Sequence, residues 1–394
     1  MNVQQSGLTM LIKSALSDKS CELPESFSLE GVVNVAREHQ ISPLVYYGAL
    51  NCGFDKSLEA MKKLFENSFP LVILDEQQRQ ALEALCLAFE SNKIEYMPLK
   101  GSVLKALYPR SEMRVMGDID ILIKTEQYES IKKVMPELGF VEKVESDHEF
   151  IWIKDNLCIE LHKRLISSYN KDYYAYFGDG WQMAKKCSGF KYSMKDEAFF
   201  IHLITHFAKH YRDGGIGIKH MVDLWVYKNA KQQLDWEYVK SELEKLRLYE
   251  FLENVEKTLD VWFGDTDETF ETKLISDTVF NSGAYGTAED AETSKIIRET
   301  QGKKSFGSVK LANRLRTVFL PYKQMCEKYK ILKKVSFLLP VMWIVRLFNV
   351  IIFKQDRMRN YIEKEKRLTS DTIYERKERL NAVGLDFYSE EDVK

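Results

Sequence analysis

Residues 97–124 read MPLKGSVLKALYPRSEMRVMGDIDILIK. Near the end of this stretch two aspartates, Asp118 and Asp120, alternate with Ile119 and Ile121. At the two-residue period of a strand, both carboxylates project from one face and both isoleucines from the other. Adjacent carboxylates repel unless positive charge lies between them. A hard divalent cation such as Mg²⁺ is the natural candidate, because it takes carboxylate oxygens and keeps positions for water and phosphate. Upstream, Ile94 to Leu99 reads as a strand and Val103 to Tyr108 as a helix, with Lys100-Gly101-Ser102 at the turn between them. Gly101 lets backbone approach a ligand closely, and the first N–H groups of a helix can receive a phosphate. The stretch therefore predicts a phosphate site and a metal site one helix apart.

A catalytic ion calls for a third carboxylate, and Cys158-Ile159-Glu160-Leu161-His162 supplies one with the same alternation. Glu160 and His162 share a face with Cys158, while Ile159 and Leu161 point the other way.

A Gly-Ser at a strand-to-helix turn, then Asp-x-Asp, then a single acid on a later strand resembles the DNA polymerase β superfamily of nucleotidyltransferases. More closely, Leu99-Lys100-Gly101, Tyr108-Pro109, Arg114, Asp118-Ile119-Asp120 and Glu160-Leu161-His162 resemble an uncharacterised bacterial nucleotidyltransferase family. Its motif runs L-K-G, Y-P, R, D-I-D, then an acid followed by L-H. The likeness continues at Asp223, after a His-containing helix, and at Leu338-Leu339-Pro340 followed by Trp343 and Arg346. It covers most of the chain, although residues 103–117 make a longer gap than in better known branches.

The resemblance implies an α+β fold: a polymerase-β-like nucleotidyltransferase core, a small mixed sheet with helices, embedded in largely helical N- and C-terminal regions. It also implies metal-dependent in-line transfer of a nucleoside monophosphate from an NTP, ATP among them, to an acceptor hydroxyl or phosphate, with pyrophosphate released. In that scheme Asp118, Asp120 and Glu160 are the catalytic acids and hold Mg²⁺ or Mn²⁺. Lys100, Gly101, Ser102 and Arg114 meet the nucleotide, although Lys100 and Arg114 serve equally well as salt-bridge partners of the acids. His162, His202, His206 and Asp223 stand around substrate or behind the acids; a hydrogen bond between helices accounts for Asp223 as well. The acceptor is left open, since sugar phosphates, tRNA ends, protein side chains and small antibiotics are all served by this core. A second reading, from another class, is a nucleotide-binding regulatory or scaffold protein that transfers nothing.

Composition narrows the classes. With 57 basic and 59 acidic residues the formal charge is −2, so no global basic field marks a nucleic-acid binder. A length of 394 residues suggests two or three modules. The six cysteines are scattered without a Cys-x-x-Cys pair, and the N-terminus is not signal-like, which together predict free thiols, a cytoplasmic protein and no zinc.

In chain order, residues 1–92 read as helices, with runs at Leu8 to Leu16, Val32 to Ala49 and Leu58 to Phe89, the last broken by Pro70, and with Ser28 offering an N-cap. His39 reads as structural. Residues 93–165 read as the nucleotidyltransferase core: a helix from Thr125, a possible cap, to Leu138, strands at Phe140 to Val144, Phe150 to Lys154 and Leu157 to His162, and a three- to five-stranded mixed sheet with helices on one side. Residues 166–263 read as a helical region completing the cleft. Within it His202, His206 and His210 recur every four residues and, lacking a carboxylate in a zinc pattern, read as the wall of a nucleotide or acceptor pocket. Gly214-Gly215-Ile216-Gly217 reads as a flexible loop between helices. Residues 264–295 read as an exposed connection.

The remainder of 264–394 reads as a basic and apolar helical region with a charged tail. Between Arg298 and Lys334 eleven Lys or Arg stand against two Glu, which suits an anionic surface, nucleic acid or membrane, as well as it suits a solvated helix face. Val335 to Phe353 is strongly apolar but interrupted by Pro340, Arg346 and Asn349. It reads as a buried or interfacial helix, which would make the protein peripheral to a membrane. Residues 354–394 read as an exposed helix and a loose acidic end.

Overall fold

The structure, a computed structural model, describes residues 1–300, 306–353, 359 and 367–387. Internal contacts divide the chain into two units, residues 1–286 with 382–385, and residues 287–381 with 386–394.

The first unit is built on a seven-stranded mixed sheet in the order β3-β4-β5-β2-β1-β7-β6. Its strands are β1 (Tyr96–Pro98), β2 (Ile119–Ile123), β3 (Val141–Glu145), β4 (Glu149–Lys154), β5 (Leu157–His162), β6 (Ala184–Ser188) and β7 (Lys191–Met194). The central strand β2 has all five residues buried, pairs antiparallel with β1 and runs parallel to β5. Ile119, Ile121, Ile159 and Leu161 form one face of the sheet. Leu85 and Phe89 of α4 (Glu59–Ser91) and Ile131, Val134 and Met135 of α6 (Tyr128–Glu137) cover it. The isoleucine half of each alternating strand is thus spent on the core, and the carboxylate half is left for the other face.

An α+β fold with helical flanks is as the sequence predicts, but five local expectations are corrected. The sheet has seven strands rather than three to five, because the β6–β7 hairpin, inside the stretch expected to be helical, pairs parallel to β1 through Tyr96 and Lys191. Its AKKCS and KYSM are short and mostly polar, so they carry no apolar alternation. Helix α4 runs unbroken for 33 residues through Pro70. Pro70 lies on the exposed side, where the carbonyl it leaves without an N–H partner can meet water. Ser28 caps nothing, since α2 (Glu30–Glu38) starts after Leu29 with no side-chain cap, and Thr125 opens a 3₁₀ turn instead of capping α6. Residues 264–295 are not an open connection. They hold α12 (Phe270–Asn281), which the side chain of Thr269 caps and whose Ile275 and Val279 are fully buried.

Before the sheet stand α1 (Val3–Ser17), α2 and α3 (Ser42–Asn51). The short α5 (Gly101–Leu104) follows β1, and α7 (Lys171–Phe177) precedes the hairpin. After it come α8 (Asp196–Asp213), α9 (Ile218–Ala230), α10 (Trp236–Lys245), α11 (Tyr249–Phe263) and α12. His39 ties three of these helices: its Nδ1 accepts the Ile218 N–H at 3.2 Å and its Nε2 donates to the Phe280 carbonyl at 3.0 Å.

The second unit contains α13 (Ala288–Thr300), α14 (Phe306–Val318), α15 (Tyr322–Lys328), α16 (Leu339–Phe353) and most of α17 (Ser370–Ala382). Met325, Cys326 and Leu332 form its small core, with Leu338, Met342 and Trp343 packed against them. Among the described residues no helix is long and apolar enough to cross a membrane. The expected acidic end, residues 388–394, lies outside the described residues.

Candidate active site

Strands β2 and β5 run side by side in a register that pairs Asp120 with Glu160 and Leu122 with His162. Parallel neighbours in register point equivalent side chains the same way, so Asp120, Glu160 and His162 share the face opposite the isoleucine core. His162 Nε2 lies 2.7 Å from Asp120 Oδ1 and 3.5 Å from Glu160 Oε2. Asp118, half-buried at the entrance to β2, lines the same cleft as Glu160, close enough for the two carboxyls to feel each other's charge. The three acids expected from the sequence therefore meet. The ligand atoms of Asp120, Glu160 and His162 lie within 4.8 Å of one another, close enough to hold a single cation. A neighbouring group, His148, Glu149 and His162, satisfies the same spacing.

The two aspartates sit in opposite electrostatic conditions. Burial and then the charges of Asp120 and Glu160 push the Asp118 carboxyl up to about 6. Burial opposes ionisation of Asp120 too, but Lys100 and His162 outweigh it and hold that carboxyl well below its ordinary range. For His162, burial and Lys100 work against protonation, and its hydrogen bonds to Asp120 and Glu160 overcome them and raise it. Like charges this close cannot all ionise freely, so below about pH 6 a cation arriving here would displace a proton from Asp118.

Lys100 and Arg114 are both engaged by acids. Lys100 Nζ is 2.7 Å from Asp120 Oδ1, and its backbone sits at φ +42°, ψ −116°, a conformation that favours glycine. A strained non-glycine backbone persists only where its surroundings impose it, often at working sites. Arg114 forms a two-pronged ion pair with Asp223 of α9, and Tyr108 donates its hydroxyl to the same carboxylate at 2.8 Å. Gly101 lines the cleft, and a Cβ on it would come within 2.7 Å of Met116 Sδ. Ser102 is not among the cleft's lining residues: its amide donates to Leu99 O at 3.1 Å and its hydroxyl faces Met116.

These groups open on a cleft of about 390 Å³, within the range of roughly 300–1,000 Å³ usual for small-molecule sites. His206 and His210 of α8 form part of the wall, with their Nε2 atoms 3.1 Å apart. His202 does not reach the cleft. It is fully buried beneath, its ring 5.7 Å from that of Phe177. Burial, reinforced by neighbouring positive charge, pushes His202 and His210 down to about 3 and holds His206 and His220 well below the ordinary histidine range, so His206, His210 and His220 face the cleft as neutral imidazoles.

Sequence reading missed Lys219 and Tyr285. The Gly214–Gly217 loop is not loose: Gly215, at φ +101°, leaves no room for a Cβ against Ser282 Oγ, and this close approach brings the neighbouring Ala284 and Tyr285 to the cleft. Tyr285 lines the opening there, and the Lys219 ammonium lies 5.5 Å from its ring centre. Lys219 is only 7% exposed, lines the cleft, and has no carboxylate within ion-pair distance among the described residues. Burial, then Arg114, lowers it to about 8. The available signal was a lysine in the first turn of a helix after a glycine-rich loop, which no periodicity singles out.

Residues 25–264, more than half of the chain, match the family described as uncharacterised nucleotidyltransferases. The chain belongs to that nucleotidyltransferase family. The matched span holds all three acids, Lys219 and the histidine wall, whereas α12 and Tyr285 lie beyond it. Among solved structures, the chain has a distant likeness to the solution structure of the antibiotic-resistance factor ANT(2'')-Ia. Identity is 15%, coverage 46% of this chain and 98% of that one, and the TM-score 0.35. No curated protein matches the chain.

Proposed function

We propose that this family member is an active enzyme that transfers a nucleoside monophosphate from an NTP to an acceptor hydroxyl or phosphate with the help of Mg²⁺ or Mn²⁺. The observation that carries this reading is the convergence of Asp118, Asp120 and Glu160 from two neighbouring strands onto one cleft. Carboxylate-dominated donors suit hard cations that also bind phosphate oxygens. Such a cation would neutralise charge on the triphosphate and on the leaving pyrophosphate.

The protein's own groups then have separate tasks. Asp118 and Asp120 hold the cation, and His162 orients Asp120 by hydrogen bonding. Lys219, buried without an anionic partner, meets the triphosphate, with the Gly101 backbone close by. Glu160 positions the acceptor hydroxyl and receives its proton. The acceptor oxygen bonds to the α-phosphorus as the bond from that phosphorus to the β-bridging oxygen breaks, and pyrophosphate carries the electron pair away. Positioning and charge neutralisation supply most of the acceleration. We place the reaction in the cytoplasm and assign the basic and apolar residues 298–353 to an anionic surface outside the cleft.

Pyrophosphate release with each NTP and Mg²⁺, using cell extract as the source of acceptor, tests the proposal. Release is expected with at least one NTP and is lost in the Asp118→Asn/Asp120→Asn variant. Nucleotide binding without turnover for any NTP or acceptor would return the protein to the regulatory or scaffold class.

A further inference from the structure

Within the second unit, α16 has two unlike sides. One side rests on the unit's small core through Met342 and Trp343, and Trp343 Nε1 donates to Leu320 O at 2.9 Å. Arg346 fastens the same helix through Val318 O at 3.0 Å. The other side is apolar and bare: Val341 is 52% exposed, Ile344 55% and Phe348 61%, with Phe337 79% exposed just before the helix. Positions 341, 344, 345 and 348 recur at three and four residues, the spacing of one helical stripe. Because the opposite side is already fastened, the stripe cannot be rotated into the core.

Charge selects what covers it. From Lys328 to Gln355 the sequence has no Asp or Glu, but it contains Lys328, Lys330, Lys333, Lys334, Arg346 and Lys354. Lys330, Lys333 and Lys334 are exposed immediately before the stripe. An apolar face bordered by cations and free of acids is the pattern of a helix lying in the headgroup region of an anionic bilayer. Among the described residues α16 has 15, fewer than the about 20 a crossing helix needs, and a helix of that length lies in the surface. Nucleic acid would use the lysines and leave the stripe bare.

We propose that the second unit docks on an anionic lipid bilayer through the stripe Phe337, Val341, Ile344, Val345 and Phe348, with Lys330, Lys333 and Lys334 over the headgroups. This contact is independent of the chemistry in the cleft, and the two can fail separately.

Co-flotation of the full chain with vesicles decides the matter. Binding is expected to vesicles of phosphatidylcholine with phosphatidylglycerol and not to phosphatidylcholine alone. Lys330→Gln/Lys333→Gln/Lys334→Gln should weaken it by about 100-fold. Ile344→Glu/Phe348→Glu should abolish it. All five positions are exposed, so the fold should survive, and far-UV circular dichroism and thermal melts of each variant that match wild type check this. A wild-type chain that floats with neither vesicle, or a Glu variant that floats as well as wild type, overturns the proposal. So does a wild-type dimer, seen by light scattering, that the Glu variant dissolves in a chain that never floats. Salt-sensitive binding of an RNA oligonucleotide that ignores the Glu substitutions, again without flotation, has the same force.

Discussion

Arg114 and Asp223, 109 residues apart in the chain, close on each other as a two-pronged ion pair, Nε to Oδ1 at 2.8 Å and Nη2 to Oδ2 at 2.7 Å. Both are buried, and the pair fastens the segment leading into β2 to helix α9 across the floor of the cleft. Removing one partner strands a charge in a dry site. Asp223→Ala is therefore expected to lower the unfolding free energy by about 3–5 kcal/mol. Urea denaturation checks this, with Arg114→Met/Asp223→Leu expected to lose clearly less.

Cation binding should depend on pH through Asp118. Its folded-state value of about 6 lies above the ordinary 3.8, so in the absence of a cation ionising it costs stability as pH rises through that interval. Binding displaces the proton. Mn²⁺ affinity, followed by calorimetry, should rise by about tenfold per pH unit below 6 and level off above it. Asp118→Asn should bind weakly and lose this slope; a slope that persists in the variant would assign the proton elsewhere.

Lys219→Met separates a phosphate ligand from a structural lysine. A charge-assisted contact to phosphate is worth enough that nucleotide Kd should rise by about 10–100-fold. Thermal stability should stay level or improve, because a buried unpaired charge is removed. A variant that binds nucleotide normally would take Lys219 out of the site.

The buried histidines make the first unit sensitive to acid. His202 and His210 fall to about 3 in the folded chain, and His39, His206 and His220 are lowered too, against an ordinary 6.5. Below that value the unfolded chain binds protons that the folded chain refuses, so stability falls as pH drops from about 6.5 toward the folded-state values. Thermal melts between pH 7 and 5 should show the decline. His202→Phe, which replaces a ring with no hydrogen-bond partner among the described residues, should make it shallower.

Asp118, Asp120 and Glu160 were legible because alternation in a strand is a local property: the isoleucines that belong in the core fix which way the acids point. Pro70 and the β6–β7 hairpin misled for the opposite reason. Proline's local preference was overridden on the exposed side of α4, and a polar hairpin was held by pairing to β1 rather than by its own pattern. In α12 the apolar pair Ile275 and Val279 was outvoted by acidic and small neighbours.

By itself, the sequence determined the carboxylate faces, the strand–helix character of the core and the family to which the chain belongs. Tertiary structure alone decided that Arg114 answers Asp223 rather than standing open to the cleft, that Ser102 turns from the cleft, and that Lys219 and Tyr285 meet at its edge. The physical reason is range. Periodicity fixes which side of a strand or helix a residue occupies, whereas its partner depends on how distant elements pack, and no local repeat encodes that distance.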